Sequence, residues 1–246
     1  MSTLTDRAKN ALARAREKKL SYQVLVLRGP DGRSLAILGE AHMKMAEAAA
    51  LGLEVVSSFE LRGVETFQRK QVFGGTALGW VISWPRLLLR FITFGLVKGS
   101  TITDAKQLPS GHTVELERAK KMPFGLHVTA VYMTAFFVVS FLAMLLPIIT
   151  PILPALAPFI IAAAGLFQLH LLMVVPAIFF RRKTWSWMLH PFLGILTLRD
   201  HLMVDGTVAM LKDHPTDRSS VVVMGRAHVS GYSALLIQHH GFVVEE

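Results

Sequence analysis

The chain has 246 residues, enough for one sizeable domain or two small ones, and with 52% hydrophobic against 17% charged residues it is too apolar for an ordinary soluble domain, so a membrane segment is sought first. The absence of cysteine excludes disulfides, thiolate metal sites and a cysteine nucleophile, so any metal must be held by His, Asp or Glu. The net charge of +9 is concentrated in the N-terminal stretch and in clusters beside an apolar block, which favours an anionic membrane surface; no motif of a nucleic-acid reader is present.

Residues 1–20 carry Arg7, Lys9, Arg14, Arg16, Lys18 and Lys19 and predict a basic helix whose charged face lies on anionic lipid or in solvent. No uninterrupted apolar core of a secretory signal precedes residue 30, so the N-terminus is expected in the cytosol. Residues 21–70 read as the first half of an α/β domain. A strand over 22–27, a Gly-Pro-Asp-Gly turn at 29–32 and a strand over 34–38 give a hairpin. The loop "GEAH" at 39–42, a helix over "MKMAEAAAL", Gly52 as its stop and a strand "EVVSSFE" follow. In the middle region, 71–123, Arg86, Arg90, Thr93 and Val97 share one helical face behind Trp80 and Trp84, while Leu87, Leu88, Phe91 and Ile92 lie elsewhere. Two arginines near the middle of that stretch make a membrane pass costly, so a helix in the membrane plane or packed on the core is expected.

From Phe124 to Phe180 there is no Asp, Glu, Lys or Arg. One helix of that length would be roughly 85 Å long, nearly three times a bilayer core of about 30 Å. Pro147, Pro151, Pro154 and Pro158 break the run. The prediction for 124–180 is therefore a transmembrane hairpin, with spans at about 125–147 and 157–180. Arg118, Lys120 and Lys121 before it and Arg181, Arg182 and Lys183 after it place both flanks on the cytoplasmic side.

Residues 181–246 begin with Trp185 and Trp187, where an interfacial aromatic belt would lie. A helix capped at Thr197 opens with Arg199 and Asp200. Strand "VVVM", loop "GRAH", helix "GYSALLIQHH", Gly241 as stop and strand "FVVEE" then repeat the grammar of the first half. The fold class expected is α/β, a mixed sheet built from N- and C-terminal βαβ halves with the transmembrane helical hairpin inserted between them.

Ligands of open α/β sheets bind beyond the carboxyl ends of the strands. His42 and His228, each three residues past a glycine that ends an apolar strand, are expected at one such edge, where Gly39 and Gly225 permit tight turns or close backbone approach. Glu60, ending the next strand, should reach the same place. His42, His228 and Glu60 would hold a divalent metal ion or activate water; Glu40 is an alternative acid or base; Arg199 would pair with a buried carboxylate or clamp an anionic group, with Asp200 beside it.

These residues, "GEAH", "FELRG", "LRDHLM" and "GRAH", resemble the TraB/PrgY/Tiki superfamily, more distantly related to erythromycin esterase and ChaN-like proteins. The resemblance spans about 34–66 and 196–246 and implies a metal-dependent hydrolase centre, peptidase-like or esterase-like, on Gly39, His42, Glu60, Arg199, Asp200, Gly225 and His228. It departs in the hairpin, inserted here between the two motifs, and in the middle region, which matches nothing. The function expected is a membrane-anchored, metal-dependent hydrolase; the alternative is a non-enzymatic membrane regulator binding a peptide or small ligand in the same crevice. The lipid bilayer is the expected partner, nucleic acid is not one, and a homo-oligomer is left open.

Overall fold

Tyr22–Arg28 (β1) and Ser34–Glu40 (β2) form the expected hairpin, paired without interruption from Tyr22 opposite Glu40 to Arg28 opposite Ser34. Gly32 closes its turn at φ +81°, a conformation that favours glycine. The computed structural model of the protein describes residues 4–41, 44–93, 97–98, 101–119, 121–179 and 183–245. They fall into two compact units.

The first unit comprises Met1–Phe67, Arg86–Arg118 and Arg199–Glu246. Its other strands are Lys44–Met45 (β3), Leu61–Val64 (β4), Val97–Lys98 (β5), His112–Glu115 (β6), Ser219–Gly225 (β7) and Val243–Val244 (β8). Six of the strands make a mixed sheet in the order β6-β4-β7-β2-β1-β8, and β3 pairs with β5 apart from it. The C-terminal strand β7 is parallel to β4 on one side and to β2 on the other, so both ends of the chain build one sheet, as expected. β6 comes from the middle region, where no strand was foreseen, and extends the parallel set beside β4.

The central strands are buried on both faces, which is why "LAIL" and "VVVM" read as continuous apolar runs. Successive side chains go to opposite faces. Ala36, Leu38, Val221 and Val223 pack with Ala8, Leu12, Leu51 and Val55 of helices Asp6–Glu17 (α1) and Ala46–Ser57 (α2). Leu35, Ile37, Val222 and Met224 pack with the other helical layer, including Met203, Val204, Tyr232 and Leu236.

Two boundaries differ from expectation. α2 runs through Gly52 and absorbs most of the predicted strand "EVVSSFE", ending at Ser57. Its buried positions, Ala48, Leu51, Gly52, Val55 and Val56, follow the helical period, and the adjacent valines belong to that stripe. Gly52 permits close packing: a Cβ there would lie 2.2 Å from the Tyr22 hydroxyl and 2.6 Å from Thr101 Oγ1. Thr101 opens the short helix Thr101–Ala105 (α4). The helix Pro191–Asp213 (α9) begins well before Thr197, whose Oγ1 donates to Leu193 O inside the helix instead of capping it. Val229–His240 (α10) ends as foreseen at Gly241, at φ +70°.

The second unit comprises Gln68–Pro85 and Ala119–Leu198; the division from the first falls inside α9 and inside the helix Gly75–Ile92 (α3). Phe124–Met144 (α5) has a mean hydropathy of 1.9 over its most apolar window and, at roughly 32 Å, is long enough to span a bilayer core. Among the described residues it is the one helix that meets that length and composition. Leu146–Ile152 (α6) contains Pro151; the second expected span is divided into Ala157–Leu171 (α7) and Val174–Phe179 (α8). α7 lies against α5, where the Tyr132 hydroxyl bonds His170 Nδ1. Trp187, assigned to an aromatic belt, sits over Gly125 and Gly194, and a Cβ at Gly194 would overlap its backbone. Lys120, Arg181 and Arg182 lie outside the described residues.

Candidate functional site

β2, β4, β6 and β7 run in one direction, so their carboxyl ends share one edge of the sheet. β4 leads into Glu65, whose N–H continues the ladder by donating to Val223 O at 2.9 Å, and β6 leads into Leu116, which donates to Val64 O, and then Glu117. β7 ends at Gly225 and turns through a 3-10 segment, Arg226–His228, into α10. α9 approaches this edge closely because Gly206 has no side chain: a Cβ there would lie 2.0 Å from Leu116 O. The hydroxyls of Thr207 and Tyr232, 2.7 Å apart, tie α9 to α10.

Arg199 and Asp200 consequently face Glu65, Glu117 and His228. Arg199 donates from Nε to Glu117 Oε1 at 2.6 Å and from Nη2 to Glu117 Oε2 at 3.2 Å and Glu65 Oε1 at 2.5 Å. Its guanidinium stacks 5.0 Å from the Phe67 ring centroid. The other Glu65 oxygen accepts from the Gly225 N–H. His228 Nδ1 lies 2.6 Å from Asp200 Oδ1, and its Nε2 lies 3.7 Å from Glu65 Oε1. His228, Asp200 and Glu117 are 3%, 5% and 1% exposed, so these charges meet nearly out of water.

Burial raises the pKa of the Glu117 carboxyl, against the pull of Arg199; burial likewise raises that of Asp200, against its hydrogen bond to His228. Burial alone would depress Arg199, but Glu117 and Glu65 outweigh it and hold the guanidinium charged. With Asp200 ionised, the His228 proton sits on Nδ1 and Nε2 is left as the basic nitrogen on the Glu65 side. That arrangement can take up and return a proton.

Of the residues singled out in the sequence, Arg199, Asp200, Gly225 and His228 come together here. Gly39 serves them from β2: a Cβ on it would lie 2.2 Å from Val229 Cγ2, so its lack of one lets the start of α10 pack on the strand. His42 lies outside the described residues. Glu40, predicted in a loop, is the last residue of β2, and its Oε2 accepts from Thr101 N at 3.0 Å; its place in the alternation is with Ala36 and Leu38, on the α1 and α2 face. Glu60 is not at this edge. It precedes β4, at the amino end of the sheet, and is exposed, because the preceding apolar run is helix and the strand starts at Leu61. The strand-ending glutamate is Glu65, five residues on. Glu65 and Glu117 were missed; the signal for Glu65 was a carboxylate directly after "LRGV", while Glu117 needed β6 to be recognised as a strand.

Among the described residues no group of three or more His, Asp or Glu side chains is placed to hold a metal ion. Arg199 takes up the oxygens of Glu117 and one of Glu65, and Asp200 is engaged by His228, so the described side chains do not fit a divalent ion at this edge. No family profile, curated protein or solved structure matches the chain. Fold and site geometry alone define its class: an α/β protein carrying an apolar helix of membrane-spanning length and a buried His-Asp pair beside an arginine-carboxylate cluster.

Proposed function

We propose that the chain is a membrane-anchored hydrolase of ester or peptide bonds, centred on the carboxyl edge of its sheet. His228 would take a proton from the attacking water through Nε2 and return it to the leaving group, while Asp200 holds the imidazole in that tautomer. Arg199, fixed by Glu65 and Glu117, would stabilise negative charge developing on the substrate. The observation that carries this reading is the Asp200–His228–Glu65 chain at the strand ends. The resemblance to TraB/PrgY/Tiki-like proteins supports it through Gly225, His228, Arg199 and Asp200; the glutamate matched in that resemblance, Glu60, precedes β4, and the glutamate that follows β4 is Glu65. The length and apolarity of α5 and the flanking basic clusters support anchoring in a bilayer, with α5 and the run from α7 through α8 as two spans and both flanks cytoplasmic.

The test is turnover of a peptide and ester panel by the full chain in detergent, with and without chelator. Activity should be lost in His228→Gln and survive chelation. A stoichiometric divalent ion that disappears in His228→Gln would replace this mechanism with a metal-dependent one. The near-complete burial of His228, Asp200 and Glu117 favours a second reading, a non-enzymatic regulator in which the cluster organises a ligand crevice. Ligand binding weakened by Arg199→Lys, with no turnover of any substrate, would establish it.

A further inference from the structure

At the opposite end of the sheet, Arg62 of β4 is 1% exposed, and no carboxylate among the described residues partners it. Its Nε donates to Val56 O and Phe59 O at the end of α2, and Nη1 donates to Ser110 O. Nη2 makes no hydrogen bond to a described residue. A guanidinium removed from water without a counter-charge is costly, and burial lowers its pKa accordingly.

Arg62 lines a cleft of about 600 Å³ together with Thr5, Arg7, Ser58, Glu60 and His112. Gly111, at φ +80°, lets the neighbouring loop lie against it: a Cβ there would stand 3.1 Å from Arg62 Nη2. α1 begins in the same cleft. Thr5 Oγ1 accepts from Ala8 N, which leaves the N–H groups of Asp6 and Arg7 as the unpaired donors of the first turn. The positive end of a twelve-residue helix, a buried arginine with unused N–H groups and a second arginine therefore converge; among the described residues Glu60 is the carboxylate lining the cleft, and Asp6 stands in the first turn of α1, outside that lining.

We propose that this cleft binds a phosphate group, with Arg62 Nη2 and the first turn of α1 as its donors and Arg7 closing over it. Phosphate suits donors arriving from separate directions, because its tetrahedral oxygens accept from each. The group belongs to a small phosphate ester or to a lipid headgroup, and the size of the cleft admits either. The site shares no residue with the carboxyl edge and does not depend on the function proposed there.

The test is calorimetric titration of the full chain in neutral detergent with inorganic phosphate, then with glycerol phosphate and with phosphatidic acid in mixed micelles. Saturable binding at one site per chain is expected, weakened about tenfold in Arg62→Lys and several-fold in Arg7→Gln. Glu60→Gln should tighten it by removing the opposing charge, and His228→Gln should leave it unchanged. Competition by glycerol phosphate assigns a soluble ester; competition confined to phosphatidic acid assigns a headgroup. Absence of saturable binding of all three probes, or binding unmoved by both arginine variants, overturns the proposal. If Arg62→Lys does not fold, the Arg7→Gln and Glu60→Gln pair decides, since both residues are exposed.

Discussion

The two ends of the sheet each draw in an arginine, Arg62 fully and Arg199 for the most part, and they satisfy it in opposite ways. Arg199 at the carboxyl edge is held by two glutamates that themselves need it. Arg62 at the amino edge is held by neutral carbonyls, and its charge has no counter-ion among the described side chains. The first is a closed set of mutual dependencies, in which removing the cation strands two buried anions. The second has positive charge to spare beside a cleft. Burial of a charge is thus a structural commitment in one place and a binding capacity in the other.

The largest effect should come from Arg199→Met, which leaves Glu65 and Glu117 buried without a cation; a loss of roughly 3–5 kcal/mol of unfolding free energy is expected, read from denaturant unfolding followed by circular dichroism. Arg62→Met removes hydrogen bonds to three carbonyls but also relieves an uncompensated cation, so its cost should be smaller, about 2 kcal/mol. Equal losses in the two variants would erase the contrast between the edges. Asp200→Asn tests the charge state of the first cluster. The Asp200 carboxyl holds its proton more tightly in the folded chain, so its contribution to stability is present below about pH 4, the ordinary carboxylate value, and is lost as pH rises through the higher folded value. Wild type should therefore lose melting temperature relative to Asp200→Asn across that interval; parallel pH profiles would contradict the buried position of Asp200. Glu60→Gln should change stability by no more than about 0.5 kcal/mol, as expected of an exposed carboxylate, whereas Glu65→Gln should abolish any turnover. A turnover defect in Glu60→Gln comparable to that in Glu65→Gln would return Glu60 to the site.

Much of the scaffold was legible because its signals are local. The Gly-Pro-Asp-Gly turn between two apolar runs yields the β1–β2 hairpin, Gly241 stops α10, and "VVVM" before "GRAH" places His228 just past a strand. The break at Gly52 was misread because glycine was taken as a stop, when Tyr22 and Thr101, distant in sequence, are what require it. The error at "EVVSSFE" has the same origin: adjacent valines suit a strand or the buried stripe of a helix, and only packing chooses. That choice moved Glu60 to the amino edge and handed its expected place to Glu65.

The sequence by itself determined that both ends of the chain carry the strand and helix patterns of an α/β sheet, that an uncharged apolar block lies between them, and that His228 follows the end of an apolar strand. These follow from periodicity, from the charge-free run and from motif spacing, all of which act within a few residues. Tertiary structure alone decided which carboxylates meet Arg199. Glu65 and Glu117 reach it because β4 and β6 pair in parallel and because Gly206 lets α9 settle on Leu116, contacts between segments about fifty and ninety residues apart along the chain. Strand pairing is specified by complementary surfaces across that distance, so no local pattern announces it.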